Sequence, residues 1–241
     1  NFANDYSDGV RGTDTAERTG PQRLVGSGAA KPGAVLAAAI TAFLVAGAAG
    51  VWLCLLAHHP WLIAAGVIAV VAAWFYTGGK HPYGYVGLGD IAVLVFFGLF
   101  AGLGTVYTQA GRLDWVSWLV AIAMGLIACA ILMANNLRDI PTDEAAGKKT
   151  LAVRLGDSGA RIAYTAEMIA AFLLVVPLLW ATPRALLALF MVVPAIRGIG
   201  AVMRGAEGLT LISVLRLTGQ VEFGTGLILG LALGSTAIWA S

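Results

Sequence analysis

Charge is the component that this sequence has least of. Only 12% of its 241 residues are charged and 59% are hydrophobic, whereas soluble domains carry about 25% charged residues. This deficit excludes an intrinsically disordered chain, a coiled coil and an ordinary soluble enzyme, and it indicates a polytopic membrane protein. The 15 Lys and Arg residues nearly balance the 13 Asp and Glu residues, so there is no basic surplus to indicate a nucleic-acid partner.

Cysteine is scarce as well. The two cysteines, Cys54 and Cys129, both lie in apolar stretches. Such cysteines usually pack as small hydrophobic side chains, so we expect neither a disulfide nor a metal site from them. Glycine, by contrast, is abundant at 31 residues, which is typical of closely packed membrane helices.

Seven apolar stretches approach the length of about 20 residues that a helix needs to cross a bilayer. They are 33–57, 61–77, 89–109, 115–133, 160–180, 184–202 and 223–239. The second stretch is short, and a tilted or locally thinned bilayer would accommodate it. We therefore predict that the whole chain, 1–241, forms one all-α transmembrane domain.

The basic residues fall almost entirely in alternate connections between these stretches. The first, third, fifth and seventh connections hold nearly all of the 15 Lys and Arg residues, whereas the turn at 58–60 has none. The positive-inside rule places those four connections in the cytoplasm. Residues 1–8 would then be the cytoplasmic end of an eighth helix, and we expect most of that helix to precede the given sequence.

Two clusters of carboxylate and amide side chains lie at predicted cytoplasmic ends of helices. The first contains Asn4, Asp5 and Asp8, followed by Asp14, and the second contains Asn135, Asn136, Asp139 and Asp143. Spacings of three and four residues place such side chains on one face of a helix. Pro141 interrupts the second cluster, which predicts that the helix kinks or ends near Asp139.

Carboxylate and amide oxygens suit Mg²⁺, which proteins usually hold with one or two carboxylates and complete with water and substrate phosphates. We therefore predict that the two clusters face one cavity and share a Mg²⁺ site, with metal ions on either side of a diphosphate. Its predicted ligands are Asn4, Asp5, Asp8, Asp139 and Asp143. Basic side chains nearby would neutralise the departing diphosphate, namely Arg23, Lys80, Arg138, Lys148 and Lys149. Lys149 fits a contact with anionic lipid better than a place in the site.

A Gly- and Tyr-rich segment, 76–90, lies between the two clusters. Tyr76 and Lys80 are four residues apart where a helix ends, so both can reach one cavity. We interpret the segment as a lid over an aromatic acceptor, while Tyr83 and Tyr85 could equally be anchors at the membrane interface.

Four motifs follow one another along the chain and together resemble those of a known family. They are NDYSD with GTD, RLVGSG, YTGGKHPYGYVGLGD and NNLRDIPTDEAAGKKTLAVRLG. Over nearly the whole chain they resemble the UbiA superfamily of intramembrane prenyltransferases, and the third motif resembles the branch that prenylates 1,4-dihydroxy-2-naphthoate. Where the general pattern NDxxDxxxD has its last acid, this chain has Gly12.

The resemblance implies a bundle of nine transmembrane helices around a central cavity, here without the first helix and most of the second. It implies Mg²⁺-dependent transfer from polyprenyl diphosphate to 1,4-dihydroxy-2-naphthoate with loss of diphosphate and CO₂, giving demethylmenaquinone at the cytoplasmic face of a bacterial plasma membrane. Besides these two substrates, the implied partner is membrane lipid, and no nucleic-acid partner is implied. Residues carried over as catalytic are Lys80, Tyr76 and Arg138, and those carried over as substrate-binding are Arg23, Lys148, Asn135, Asn136 and Tyr83.

Three alternatives remain open at this point. A related enzyme could prenylate another acceptor, such as 4-hydroxybenzoate. A CDP-alcohol phosphatidyltransferase also uses acidic clusters at a membrane face, but its dense single run of acids is missing from this sequence. A cation-coupled transporter could use Glu167, which lies inside an apolar span. A protonated Glu167 that hydrogen-bonds between helices explains that residue equally well.

Overall fold

The computed structural model describes residues 1–13 and 22–238, with side chains as far as Gly234. Within those residues the secondary structure is helical, without a strand. The eight main helices are α1 (Phe2–Arg11), α2 (Pro32–Leu56), α3 (Leu62–Thr77), α4 (Gly89–Ala110, π-helical over Leu94–Leu103), α5 (Trp115–Ala145), α6 (Leu151–Val175, kinked at Gly156), α7 (Val192–Met203) and α8 (Gly208–Ile238). The prediction of an all-α protein is confirmed.

Six helical stretches in the described part of the chain are long and apolar enough to cross a membrane. They are Pro32–Leu56, Gly89–Ala110, Trp115–Ala145, Leu151–Trp180, Pro183–Met203 and Gly208–Gly234. The one remaining predicted span, 61–77, is the shorter apolar helix α3. Large hydrophobic side chains such as Trp52, Phe97 and Leu173 are exposed, as lipid-facing side chains are. The protein is therefore a multi-pass membrane protein.

The helices extend beyond several predicted ends. Helix α5 does not end near Asp139 but continues through Pro141 to Ala145. Pro141 has no backbone N–H, so the helix lacks one hydrogen bond there. The next residue adds another bond, because the Thr142 hydroxyl donates to the Asp139 carbonyl at 2.9 Å. Helix α8 begins at Gly208, well before the predicted residue 223, because hydropathy marks only the apolar part of a helix and polar residues such as Arg216 and Gln220 lie in its first turns.

Residue contacts divide the chain into two compact units. The first unit is Asn1–Gly89 with Asp139–Arg154. In it, α1 packs on α2 and α3, and α3 packs on a 3₁₀ turn, Tyr83–Val86. This unit contains the end of α5, so it holds Asp139 and Asp143 together with the first acidic cluster.

The second unit comprises Asp90–Arg138 and the chain from Leu155 onward. Its core includes Val175, Leu178 and Leu229, each at most 1% exposed. Helices α4 and α5 approach very closely, since a Cβ built on Gly98 would lie 2.8 Å from the Cα of Gly125. Small residues at such a contact are the usual means by which membrane helices pack without a hydrophobic driving force.

Candidate active site

Helix α1 buries the first acidic cluster against the loop that follows it. Asp5 and Asp8 are 6% and 5% exposed. Both carboxylate oxygens of Asp5 accept backbone N–H bonds, from Leu24 and Val25, at 3.0 Å each. Gly9 permits this approach, because a Cβ there would lie 2.5 Å from the Val25 side chain. The segment after Arg23 is thereby held on α1.

Asn4 faces a different neighbour. Its side-chain oxygen accepts a hydrogen bond from the Thr77 hydroxyl at 3.0 Å. Arg11, at the other end of α1, donates to the backbone carbonyls of Thr77 and Gly79. The end of α3 and the beginning of the Gly- and Tyr-rich segment are therefore tied to α1 at both ends.

Lys148 brings the two acidic clusters together. Its ammonium nitrogen lies 3.7 Å from Asp8 Oδ2 and 3.6 Å from Asp143 Oδ1. Asp139 and Asp143 are each 8% exposed, and the negative charges of Asp139 and Asp8 act on Asp143. The predicted convergence of Asp8, Asp139 and Asp143 is thus present in the first unit.

Tyr85 lies at the centre of these contacts. Its hydroxyl donates to Asp8 Oδ1 at 2.5 Å, and its ring centroid lies 4.8 Å from Lys148 Nζ and 5.2 Å from the Arg11 guanidinium carbon. Burial raises the pKa of Tyr85 above its ordinary value, and the bond to Asp8 raises it further. The phenol therefore stays protonated near neutral pH and remains a hydrogen-bond donor.

The other predicted residues of the lid segment occupy varied environments. The rings of Tyr76 and Tyr83 meet edge to face, with centroids 5.5 Å apart. The Tyr83 hydroxyl donates to the Ala72 carbonyl at 2.8 Å. Lys80 is exposed. Outside this segment, the predicted substrate-binding residue Arg23 is half-buried.

Three predicted site residues belong to the second unit. Arg138 donates to the Asn135 side-chain oxygen at 2.9 Å, and Asn136 is 9% exposed. All three lie on α5 in the turn before Asp139. Asp14, from the first motif, lies outside the described residues.

The donor set fits Mg²⁺ in its chemistry. In residues 1–13 and 22–238, no group of three or more His, Cys, Asp or Glu side chains forms a ready-made metal site. Mg²⁺ does not require one, since one or two carboxylates with water and substrate phosphates suffice. The buried carboxylates of Asp8 and Asp143 already share one cation, the ammonium of Lys148, so a cation is electrostatically favoured between them.

Sequence reasoning missed Tyr85 and Arg11 as parts of this site. Tyr85 was predicted only as part of the lid segment or as an interface anchor, and Arg11 was not among the predicted site residues. The available signal was composition: a tyrosine between two acidic clusters, within a segment whose glycines permit close approach. Periodicity could not reveal it, because Tyr85 and Asp8 are 77 residues apart.

Comparison with known proteins supplies the family. The model of the UbiA prenyltransferase family matches residues 1–211. The 1,4-dihydroxy-2-naphthoate octaprenyltransferase of Mycobacterium tuberculosis is 53% identical over 219 residues, which cover 91% of this chain and 74% of that protein. The protein of the same name from Escherichia coli is 44% identical over 167 residues, 67% of this chain and 54% of its own length.

More distant relatives carry the family name itself. The UbiA prenyltransferase domain-containing protein 1 homolog of Drosophila melanogaster is 33% identical over 177 residues, 71% of this chain and 48% of that protein. No solved structure gives a significant match. The match over most of the chain and the identity to these relatives confirm the resemblance read from the four motifs: the chain belongs to the UbiA prenyltransferase family.

Proposed function

We propose that this protein transfers a polyprenyl group from polyprenyl diphosphate to 1,4-dihydroxy-2-naphthoate, releasing diphosphate and CO₂ and forming demethylmenaquinone in its reduced, quinol form, since the transfer itself involves no oxidant. The convergence of Asp8, Asp143 and Lys148 carries the proposal, because it provides carboxylates and an ammonium at one place in a multi-pass membrane protein. The names of the relatives that are 44–53% identical support the choice of acceptor. Membership of this family removes the phosphatidyltransferase and transporter alternatives.

Mg²⁺ would be held by Asp8, Asp139 and Asp143 and would supply charge neutralisation for a diphosphate leaving group. Asn4, whose side-chain oxygen accepts from Thr77, stays a predicted ligand. Lys148 binds the same diphosphate through its ammonium, which is only partly buried. Arg23 and Lys80 are proposed to bind the outer phosphate oxygens. Asn135, Asn136 and Arg138 are proposed to bind substrate on the basis of their position in α5, one turn before Asp139.

The bond that breaks is the allylic C–O bond, whose electron pair leaves with the diphosphate. The new C–C bond forms between the prenyl carbon and the electron-rich naphthoate ring, and the ring carboxylate leaves as CO₂. Aromatic walls exclude water from the allylic centre and stabilise its positive charge. Tyr76 and Tyr83, which contact each other edge to face, are the proposed wall on the acceptor side.

The charge asymmetry of the connections supports a placement in the bacterial plasma membrane with the site at the cytoplasmic face. Both acidic clusters, together with Lys148, belong to connections or helix ends on the predicted inner side. A polyprenyl chain would remain in the lipid while its charged end reaches this face.

A direct assay tests the proposal. The purified protein is reconstituted in lipid and supplied with a polyprenyl diphosphate and 1,4-dihydroxy-2-naphthoate, and the product is detected by mass spectrometry with Mg²⁺ or with EDTA. We expect a decarboxylated prenyl product with Mg²⁺ only. Asp143→Asn should lower the rate at least about 100-fold because it removes a proposed metal ligand. Glu144→Gln, at the exposed neighbouring position, is the matched control and should retain activity. Prenylation of 4-hydroxybenzoate instead would contradict the proposed acceptor.

A further inference from the structure

Tyr85 contacts Asp8, Lys148 and Arg11 at the same time. We infer that Tyr85 is a positioning residue that orients the Asp8 carboxylate for the metal and retains Lys148 beside it. This inference rests on the proposed function and adds to it a residue whose contacts, rather than its own reactivity, set the geometry of the site.

The two oxygens of Asp8 have separate partners. Oδ1 accepts the Tyr85 hydroxyl at 2.5 Å, and Oδ2 lies 3.7 Å from Lys148 Nζ. A carboxylate otherwise rotates freely about its last bond. With Oδ1 bound to the phenol, Oδ2 points to the place between Asp8 and Asp143 where a cation is favoured. Tyr85 would therefore determine which Asp8 oxygen is available to the proposed metal.

The position of Tyr85 is itself fixed by its backbone. The Lys149 N–H donates to the Tyr85 carbonyl at 2.9 Å, which links the 3₁₀ turn to the segment that carries Lys148. The turn is tight because Gly84 approaches the Tyr76 carbonyl so closely that a Cβ would lie 2.6 Å from it. At the far side of the turn, Gly87 has a φ of 83°, a conformation that glycine adopts without strain.

The ring contributes separately from the hydroxyl. Lys148 Nζ lies 4.8 Å from the ring centroid and the Arg11 guanidinium carbon lies 5.2 Å from it, both within the range of a cation–π interaction. The ring therefore attracts Lys148 and leaves its positive charge unchanged. Loss of the hydroxyl and loss of the ring should have distinguishable effects.

Three variants separate these effects. Tyr85→Phe removes the hydroxyl but keeps the ring, and Tyr85→Leu removes both. Tyr6→Phe, the matched control, removes a phenol hydroxyl from α1 itself but leaves the bond to Asp8 intact. For each, two quantities are measured in lipid nanodiscs: the Mg²⁺ concentration that gives half-maximal prenyl transfer, and the Mg²⁺-induced rise in Tm without prenyl substrate. The second measurement requires no catalysis.

Tyr85→Phe is expected to raise the half-saturating Mg²⁺ concentration about 10-fold or more, as loss of an outer-shell partner of a metal ligand usually does, with kcat recovered at saturating Mg²⁺. Tyr85→Leu should in addition raise KM for the polyprenyl diphosphate, because Lys148 is no longer retained. Tyr6→Phe should match the wild type. A double variant with Asp8→Asn should show no further Mg²⁺ effect of Tyr85→Phe, since the phenol acts through Asp8.

Each outcome is decisive. A half-saturating Mg²⁺ concentration within about twofold of the wild type in folded Tyr85→Phe overturns the inference and leaves the proposed function intact. A loss of kcat that excess Mg²⁺ does not restore indicates a structural role and also overturns it. If the wild type prenylates no naphthoate, yet its Mg²⁺-induced Tm shift is lost in Tyr85→Phe, the function is wrong and the inference holds. A wild type without any Mg²⁺-induced shift overturns the inference, because there is then no metal ligand to position.

Discussion

Asp5 differs from the other acids of its cluster in what its carboxylate contacts. Both of its oxygens accept backbone N–H bonds from Leu24 and Val25, directly after Arg23. Charge-assisted bonds of this kind are about twice as strong as neutral ones. We therefore propose that Asp5 anchors the loop that presents Arg23 and does not serve as a metal ligand, in contrast to the expectation from sequence spacing.

Asp5→Asn tests this assignment. An asparagine side chain has one acceptor oxygen, so one of the two backbone N–H groups loses its partner, at a cost of about 1–3 kcal/mol in the free energy of unfolding. We expect a lower Tm and a higher KM for polyprenyl diphosphate, with an unchanged half-saturating Mg²⁺ concentration. Asp8→Asn provides the contrast, since it should raise the Mg²⁺ requirement. An equal rise in both variants would restore Asp5 to the ligand set.

Local spacing accounts for what could and could not be predicted about these residues. Asp8 and Asp143 were found because each lies in a cluster whose members repeat every three or four residues. The partners of Asp5 lie 19 and 20 residues away in the chain, and Tyr85 lies 77 residues from Asp8. Contacts over such separations depend on how helices and loops pack, which residue spacing does not encode.

Helices α4 and α5 pack at a distance that only small side chains permit. A Cβ on Gly98 would lie 2.8 Å from the Gly125 Cα and 2.9 Å from the Ala121 carbonyl oxygen. Backbone atoms of a neighbouring helix cannot move aside as a flexible side chain can. The high glycine content read from the sequence is thus used, at this contact, to bring two helices together.

Gly98→Ala should destabilise the protein by about 1–3 kcal/mol, the usual cost of overpacking, measured as a fall in Tm in detergent. Gly104→Ala is the control on the same helix, since a Cβ at Gly104 would meet no atom within 4 Å. Equal Tm values for the two variants would show that α4 and α5 separate more easily than their contact indicates.

The start of α5 is capped by Asp114. Its Oδ1 accepts bonds from the Ser117 backbone N–H at 2.8 Å and the Ser117 hydroxyl at 2.7 Å. These two bonds hold the pKa of Asp114 below its ordinary value. A depressed pKa means that the cap stabilises the folded state above the pKa of the unfolded chain and loses this effect as the pH falls through the folded-state pKa.

Asp114→Ala should therefore lower the free energy of unfolding by about 0.5–2 kcal/mol at neutral pH, and the difference from the wild type should shrink as the pH falls below about 4. Asp114→Asn keeps an acceptor oxygen and should cost less. Thermal unfolding over a pH series measures both differences. A deficit of Asp114→Ala that stays constant down to acid pH would contradict the role of the ionised carboxylate.

Helix ends show the limit of hydropathy at the scale of elements. The apolar stretches predicted the spans well at α2, α3 and α4. The beginning of α8 was predicted too late because polar residues such as Arg216 and Gln220 precede the apolar run. Helix α6 is kinked at Gly156, whose φ of 68° and ψ of 175° are not helical, so the helix after the kink begins close to the predicted residue 160.

The basic residues fall almost entirely in alternate connections of the sequence, which predicts that those connections lie on the cytoplasmic side of the membrane. The multi-pass architecture and the family are established, whereas the arrangement of nine helices around a central cavity stays a prediction. The resemblance of four motifs identified the family where periodicity alone would have stopped at a helical membrane protein.

Cysteine labelling tests the orientation. In a background without Cys54 and Cys129, single cysteines replace Arg112, in the connection between α4 and α5, and Glu144, at the end of α5; both positions are exposed. In intact spheroplasts, a membrane-impermeant maleimide should label the cysteine at 112, and it should label the one at 144 only after permeabilisation. The opposite pattern would reverse the predicted orientation and place the acidic site outside.

Lys148 has a practical consequence for handling the molecule. Its ammonium lies 3.7 Å from one buried carboxylate and 3.6 Å from another, so the chain carries a tethered counter-ion for its own acids. Chelation of Mg²⁺ is then expected to abolish activity without exposing the fold to repulsion between Asp8 and Asp143, because Lys148 still lies between them. We therefore expect the protein to stay folded when Mg²⁺ is withdrawn from the proposed site and to recover activity on its return without refolding.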